Sequence, residues 1–218
     1  MANATKKAII ETLLSEHGST FAEECGIELR DAGEPLFRIL VASMLAGAPV
    51  RPAAAAAAAR SLFAAGFGGV AAMRASRSSS RLRALRDAGY PRFTERAARA
   101  AGAIARWLDD EYHGDVRNVR AEAAGDPSVL TRLLKGFEGV GATAASVFIA
   151  EVQLLWDELF PAVTERALHV AERLGLPASR LATLVDAGDL PRFVAALARC
   201  DPADVLSRAT TIRLRAAR

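Results

Sequence analysis

Cysteine is scarce: Cys25 and Cys200 stand far apart, with no partner at metal-ligand spacing. A disulfide framework and a cysteine-held metal are both excluded, and a reducing cytoplasm is the natural setting. Histidine is as sparse, with His17, His113 and His169 widely separated, so no metal site is expected. Aromatic residues make up 6% of the chain. No stretch alternates apolar and polar residues between hairpin turns, which removes the signals of a β-sheet protein. No apolar run is long enough to cross a bilayer. The small and basic N-terminus, Met1 to Lys7, leads into an amphipathic segment carrying Glu11 and Glu16, so a signal peptide is not expected either.

What remains is a chain of 218 residues that is 51% apolar and led by alanine, with leucine, valine and isoleucine behind it. Alanine and leucine are the strongest helix formers, so the fold class is all-α. The pattern predicts a helix over 5–16 with Ile9, Ile10, Leu13 and Leu14 as its buried stripe, and an apolar helix over 36–45. A third helix opens at Pro52 and contains the alanine run 53–59, read as a packing surface. Short helices over 70–75 and 80–88 precede a long one over 93–112. His113-Gly114 then opens a loop that reaches Asp126, an N-cap followed by Pro127. Further helices are expected over 163–174, 178–187 and 190–199.

The net charge is only +3, yet arginine is clustered. Arg74, Arg77, Arg81, Arg83, Arg86, Arg92, Arg96, Arg99 and Arg106 face only Asp87 and Glu95 between them. Arg208, Arg213, Arg215 and Arg218 end the chain. Clustering of one sign over such a stretch points to an anionic partner such as nucleic acid.

Residues 133–152 hold the most specific pattern, in which a short helix meets Phe137-Glu138-Gly139-Val140-Gly141 and a second helix follows. Two glycines can take conformations closed to other residues and bring bare backbone to a ligand. Val140 between them is placed to plug into the core. The first N–H groups of the second helix would then face outward as an anion site. Gly139, Val140, Gly141, Ala142, Thr143 and Lys135, with Arg92, Arg96 and Arg99, are the candidate DNA-binding residues.

With this hairpin in place, three further blocks resemble the helix-hairpin-helix (HhH-GPD) glycosylase superfamily, endonuclease III-like proteins in particular. They are Pro35–Leu45, Leu85–Tyr90 with the arginine-bearing helix after it, and Phe160–Val163 leading into Leu168–Leu176. The resemblance spans roughly 30–180. It implies two helical domains with a groove between them: 30–155 containing the hairpin, and 1–29 joined with 156–218. It also implies double-stranded DNA as partner, nucleoid association, a monomer, and a monovalent cation at the hairpin. The C-terminal iron–sulfur cluster has no cysteines here. Thr143 stands where bifunctional members carry the lysine nucleophile, Thr164 where nearly all carry an aspartate, and Ala48 where many carry the glutamine that fills the gap left by a flipped base. Glu165 is the substitute carboxylate if that loop shifts by one residue.

Three functions follow. One is a DNA-binding protein related to base-excision-repair glycosylases, with weak, atypical or absent excision. Another is an active monofunctional DNA glycosylase, without lyase activity, using Glu165. The last is a helical protein-interaction module that has lost DNA.

Overall fold

A computed structural model of the chain describes residues 2–216, and the side chains of 6–211. Among the described residues every regular element is helical. The α-helices are α1 (Ala2–His17), α2 (Phe21–Glu24), α3 (Gly33–Ala46), α4 (Pro52–Ala64), α5 (Val70–Ala75), α6 (Ser78–Asp87), α7 (Thr94–Tyr112), α8 (Val116–Ala123), α9 (Pro127–Leu134), α10 (Ala142–Val152), α11 (Glu165–Arg173), α12 (Leu190–Arg199) and α13 (Pro202–Ala216). None of the helices is long and apolar enough to cross a membrane, among the described residues.

The chain falls into two compact units, Ala22–Phe160 and Met1–Phe21 with Pro161–Arg218. In the larger unit α3 is buried along nearly its whole length, from Leu36 to Leu45. It packs against α4 and α10. The alanine run lies in α4, where Ala55, Ala56, Ala58 and Ala59 are buried and let neighbouring backbones approach. In the smaller unit α1 lies against α12 and α13, and α11 against α12. Arg192 donates to the Gly18 carbonyl, and Arg199 to those of His17 and Ser19, covering acceptors at the C-terminal end of α1.

Several expectations are corrected. The buried stripe of α1 is rotated toward Ala8, Ile9, Thr12 and Leu13, because the Thr12 hydroxyl donates to the Ala8 carbonyl at 2.8 Å and so can be buried. The loop expected from His113 to Asp126 contains α8. Asp115 caps it by accepting the Arg117 N–H at 2.9 Å, and Val116, Val119 and Ala123 supply a buried helical stripe. The helix expected over 178–187 is two 3-10 turns, Ala178–Thr183 and Ala187–Asp189, because Arg180 leaves helical geometry inside the first. Arg208 pairs with Glu16 in the smaller unit. The side chains of Arg213 and Arg215, and the whole of Arg218, lie outside the described residues.

The clustered arginines do not share one environment. Arg81 is only 3% exposed. Its guanidinium donates to the carbonyls of Ala98 at 2.7 Å and Ser76 at 2.7 Å and to the Ser76 hydroxyl at 2.8 Å, pinning α5, α6 and α7 together. Gly102 makes room for it, since a Cβ there would fall 2.6 Å from Cζ of Arg81. Burial, with a smaller push from Arg106, lowers the Arg81 pKa. Arg74 pairs with Asp109 and Asp110, and Arg86 with Glu95.

The two kinds of arginine should separate in stability. Arg81→Ala strips several bonds from buried carbonyls and leaves a cavity, so urea unfolding should show a loss of about 3 kcal/mol. Exposed Arg83→Ala should change stability by less than about 0.5 kcal/mol. Equal effects would show that Arg81 holds nothing together.

Candidate nucleic-acid interface

The segment between α9 and α10 is built as a rigid hairpin. Asp126 caps α9 by accepting the N–H groups of Ser128 at 2.7 Å and Val129 at 3.3 Å, with Pro127 at the first helical position. The helix ends at Leu134, and the Val140 N–H to Phe137 carbonyl bond, at 3.0 Å, closes the turn that follows. Phe137 and Val140 are both buried. Phe137 packs on Trp107 and Tyr112 of α7, with ring centroids 5.3 and 6.1 Å away. The base of the hairpin is thus clamped to α7 by aromatic contact.

The two glycines do different work. Gly139 has φ +83° and presses on its surroundings: a Cβ there would lie 2.9 Å from the Ala100 Cβ and 3.3 Å from the Met44 Cγ. Gly141 is extended, φ −88° and ψ −174°, a conformation open to any residue, and a Cβ there would meet nothing within 4 Å. The sequence-based expectation that both glycines hold forbidden conformations is therefore right only for Gly139. What Gly141 keeps clear is the space outside the protein.

Gly141 is the N-cap of α10 and supplies no capping side chain. The first helical bond recorded there runs from the Ala145 N–H to the Gly141 carbonyl at 3.0 Å. The N–H groups of Ala142, Thr143 and Ala144 come before it, and Gly141, Ala142 and Thr143 are exposed. Uncapped donors and the positive end of the helix dipole together attract anions. Thr143 has no hydrogen-bonded base among the described residues, so its hydroxyl is a poor nucleophile.

Neighbouring elements converge on this end of α10. A Cβ at Gly47, just past α3, would lie 2.9 Å from the Ala144 Cβ, which places the loop holding Ala48 beside the helix start. Tyr90 is buried and donates its hydroxyl to the Leu45 carbonyl at 2.7 Å. Burial pushes its phenol up to about 12, so it remains a neutral donor. Through this bond the 88–93 loop is tied to the same end of α3. Phe93, which the sequence places at the start of the long helix, is 57% exposed with a left-handed backbone at φ +55°. Its Arg92 neighbour and Arg96 are exposed, with no carboxylate within 4 Å among the described residues. Arg96 sits one helical turn, about 6 Å, before Ala100, the residue on which Gly139 rests. Lys135 is exposed at the end of α9. Arg99 differs from its neighbours, since its Nε lies 3.5 Å from a Glu138 carboxylate oxygen.

The two remaining candidates belong to the smaller unit. Thr164 is 8% exposed and caps α11, its hydroxyl accepting the Ala167 N–H at 3.3 Å. Glu165 is exposed in the first turn of that helix, where a carboxylate complements the dipole. Both residues thus have local structural work. Among the described residues no three His, Cys, Asp or Glu side chains group to hold a metal ion.

Sequence reasoning missed Arg81 as a pin and the pairing of Arg99 with Glu138. A signal for the first was present: Arg81 shares a helical stripe with Ala84, Leu85 and Ala88. Comparison with protein-family models, with characterised proteins and with solved structures finds no match for the chain.

The glycine geometry sets a stability contrast. Gly139→Ala must force a Cβ against Ala100 from a left-handed backbone, costing about 2 kcal/mol or more in urea unfolding. Gly141→Ala meets no clash and no strain and should cost less than about 1 kcal/mol, the difference between glycine and alanine at an N-cap. Equal losses at both positions would contradict the seating of the hairpin described above.

Proposed function

We propose that the chain is a double-stranded DNA-binding protein that grips a backbone phosphate with the start of α10, in the manner of a helix-hairpin-helix element. The observation that carries this is the open, uncapped N-terminus of α10, held rigidly by Phe137, Gly139 and Val140 and kept clear by Gly141. The exposed Arg92, Arg96 and Lys135 add counter-charge close by. The resemblance of four ordered sequence blocks to endonuclease III-like glycosylases supports the same partner and a role in DNA repair.

Such a grip works by backbone contact. A phosphate oxygen accepts the N–H groups of Ala142 and Thr143 while the guanidinium groups of Arg92 and Arg96 neutralise phosphates nearby. Contacts of this kind fix orientation and carry no base information, so affinity should vary little with sequence. Neither threonine at the resemblance's chemical positions can replace its counterpart. Thr143 lacks the amine that forms a Schiff base, and Thr164 has no charge with which to stabilise a cationic sugar. We therefore assign the chain binding, with base excision weak, atypical or absent. A monovalent cation at the hairpin would have its backbone carbonyls as ligands and is assigned no step.

Anisotropy titrations of a labelled duplex across a range of salt test this. Affinity should fall linearly on logarithmic axes, and replacing both Arg92 and Arg96 with Gln should flatten the slope by about 1.8, at about 0.9 per phosphate neutralised. Gly141→Leu should stay folded and lose at least about tenfold in affinity. Full affinity in a folded Gly141→Leu protein would contradict the phosphate grip.

A further inference from the structure

The tip of the hairpin carries a charge of the wrong sign for an anion site. Glu138 lies between buried Phe137 and Gly139, and its side chain is 49% exposed. It has no freedom to swing away with its backbone. Phe137 is clamped by Trp107 and Tyr112, Val140 is buried, and Gly139 is seated on Ala100. Gly141 follows three residues later, at most about 11 Å along the chain. That is close to the screening length of roughly 10 Å at 0.1 M salt. A phosphate arriving at α10 therefore feels the Glu138 carboxylate at low ionic strength.

The same seating fixes the counter-charge. Arg99 immediately precedes Ala100, so the contact that positions Gly139 also brings Arg99 to the tip. Its Nε stands 3.5 Å from the Glu138 Oε1, and its side chain is 66% exposed. Such a loose, hydrated pair holds itself together weakly. Among the described residues Arg92 and Arg96 have no such partner, which sets Arg99 apart from them.

We propose that Glu138 is a built-in competitor for the phosphate site, and that Arg99 acts by neutralising Glu138 and not as a phosphate contact of its own. This rests on the phosphate grip proposed above. The carboxylate lowers the affinity of the hairpin for any phosphate, so the grip is easily released, and because salt screens this repulsion the affinity falls less steeply with salt than it would without Glu138. Glu138 thereby sets how long the protein stays on DNA, and Arg99 sets how far that competition reaches.

The salt dependence separates this from a simple contact, using the full chain as wild type, Glu138→Gln, Arg99→Gln and the double variant. Each is titrated against a labelled 20-base-pair duplex at 50 and 300 mM salt, with thermal melts as a check on folding. Glu138→Gln should tighten binding about twofold at 50 mM, roughly the effect of one unit charge about 10 Å away in water, and by less than that at 300 mM. Arg99→Gln should weaken binding about twofold at 50 mM in either background, since the fields of the charges add, and should flatten the logarithmic salt slope by much less than the roughly 0.9 of a lost phosphate contact. A slope flattened by about 0.9 in Arg99→Gln would make Arg99 a direct phosphate contact and overturn its assigned role. Unchanged or weaker binding by Glu138→Gln would overturn the competitor, and Glu138→Ala repeats the test if the Gln variant melts early. Failure of all four proteins to bind duplex at 50 mM would instead overturn the phosphate grip beneath it.

Discussion

The close approach of Gly139 to Ala100 and Met44 is the constraint on which the rest of the larger unit depends. A left-handed residue without a Cβ lets the hairpin sink between α3 and α7. Once it is seated there, Val140 is buried, Phe137 meets Trp107 and Tyr112, and the direction of α10 is fixed. The face of α7 that receives it is made of small residues, with Ala97, Ala98, Ala100, Ala101, Gly102 and Ala105 all buried. Close packing of backbone on backbone replaces large side chains here, which is why a chain poor in aromatics can hold a rigid site. Rigidity matters because donors aimed in advance lose no freedom when a ligand arrives.

Charge is distributed on the same plan. One arginine of the central stretch is sunk into the fold to tie three helices, others are matched with carboxylates, and others again are exposed with no carboxylate within 4 Å among the described residues. Arg81 is of the first kind, Arg74 and Arg86 of the second, and Arg92 and Arg96 of the third. Net charge alone could not separate these uses, since burial and pairing are tertiary properties. Glu138 shows the converse: a single exposed carboxylate on the hairpin is matched by Arg99, whose Nε lies 3.5 Å away.

Helical class, most helix positions and the burial of Val140 between two glycines were legible in the sequence, because periodicity and capping residues are local signals. The α8 helix was missed although Asp115 and the Val116, Val119 and Ala123 spacing were visible, since His113-Gly114 was read as the start of one long loop. The contrast between Gly139 and Gly141 was not legible. Both are glycine, and only the neighbours show that one is needed for inward space and the other for outward space. The exposure of Phe93 was hidden for the same reason, as its left-handed backbone turns it away from the helix face that a regular start would give it. Thr164 and Glu165 read as chemical substitutions in sequence, whereas in the fold they form the capped first turn of α11.

The central claim is that the uncapped start of α10 binds a phosphate through its backbone. The most direct measurement is a titration of the 15N-labelled protein with a short unmodified duplex, followed by amide correlation spectra. The amides of Ala142 and Thr143 should shift progressively and saturably, together with those of Gly139 and Gly141, and the shifts should reverse on raising the salt. Shifts confined to other segments, with the start of α10 unmoved at saturation, would contradict the account.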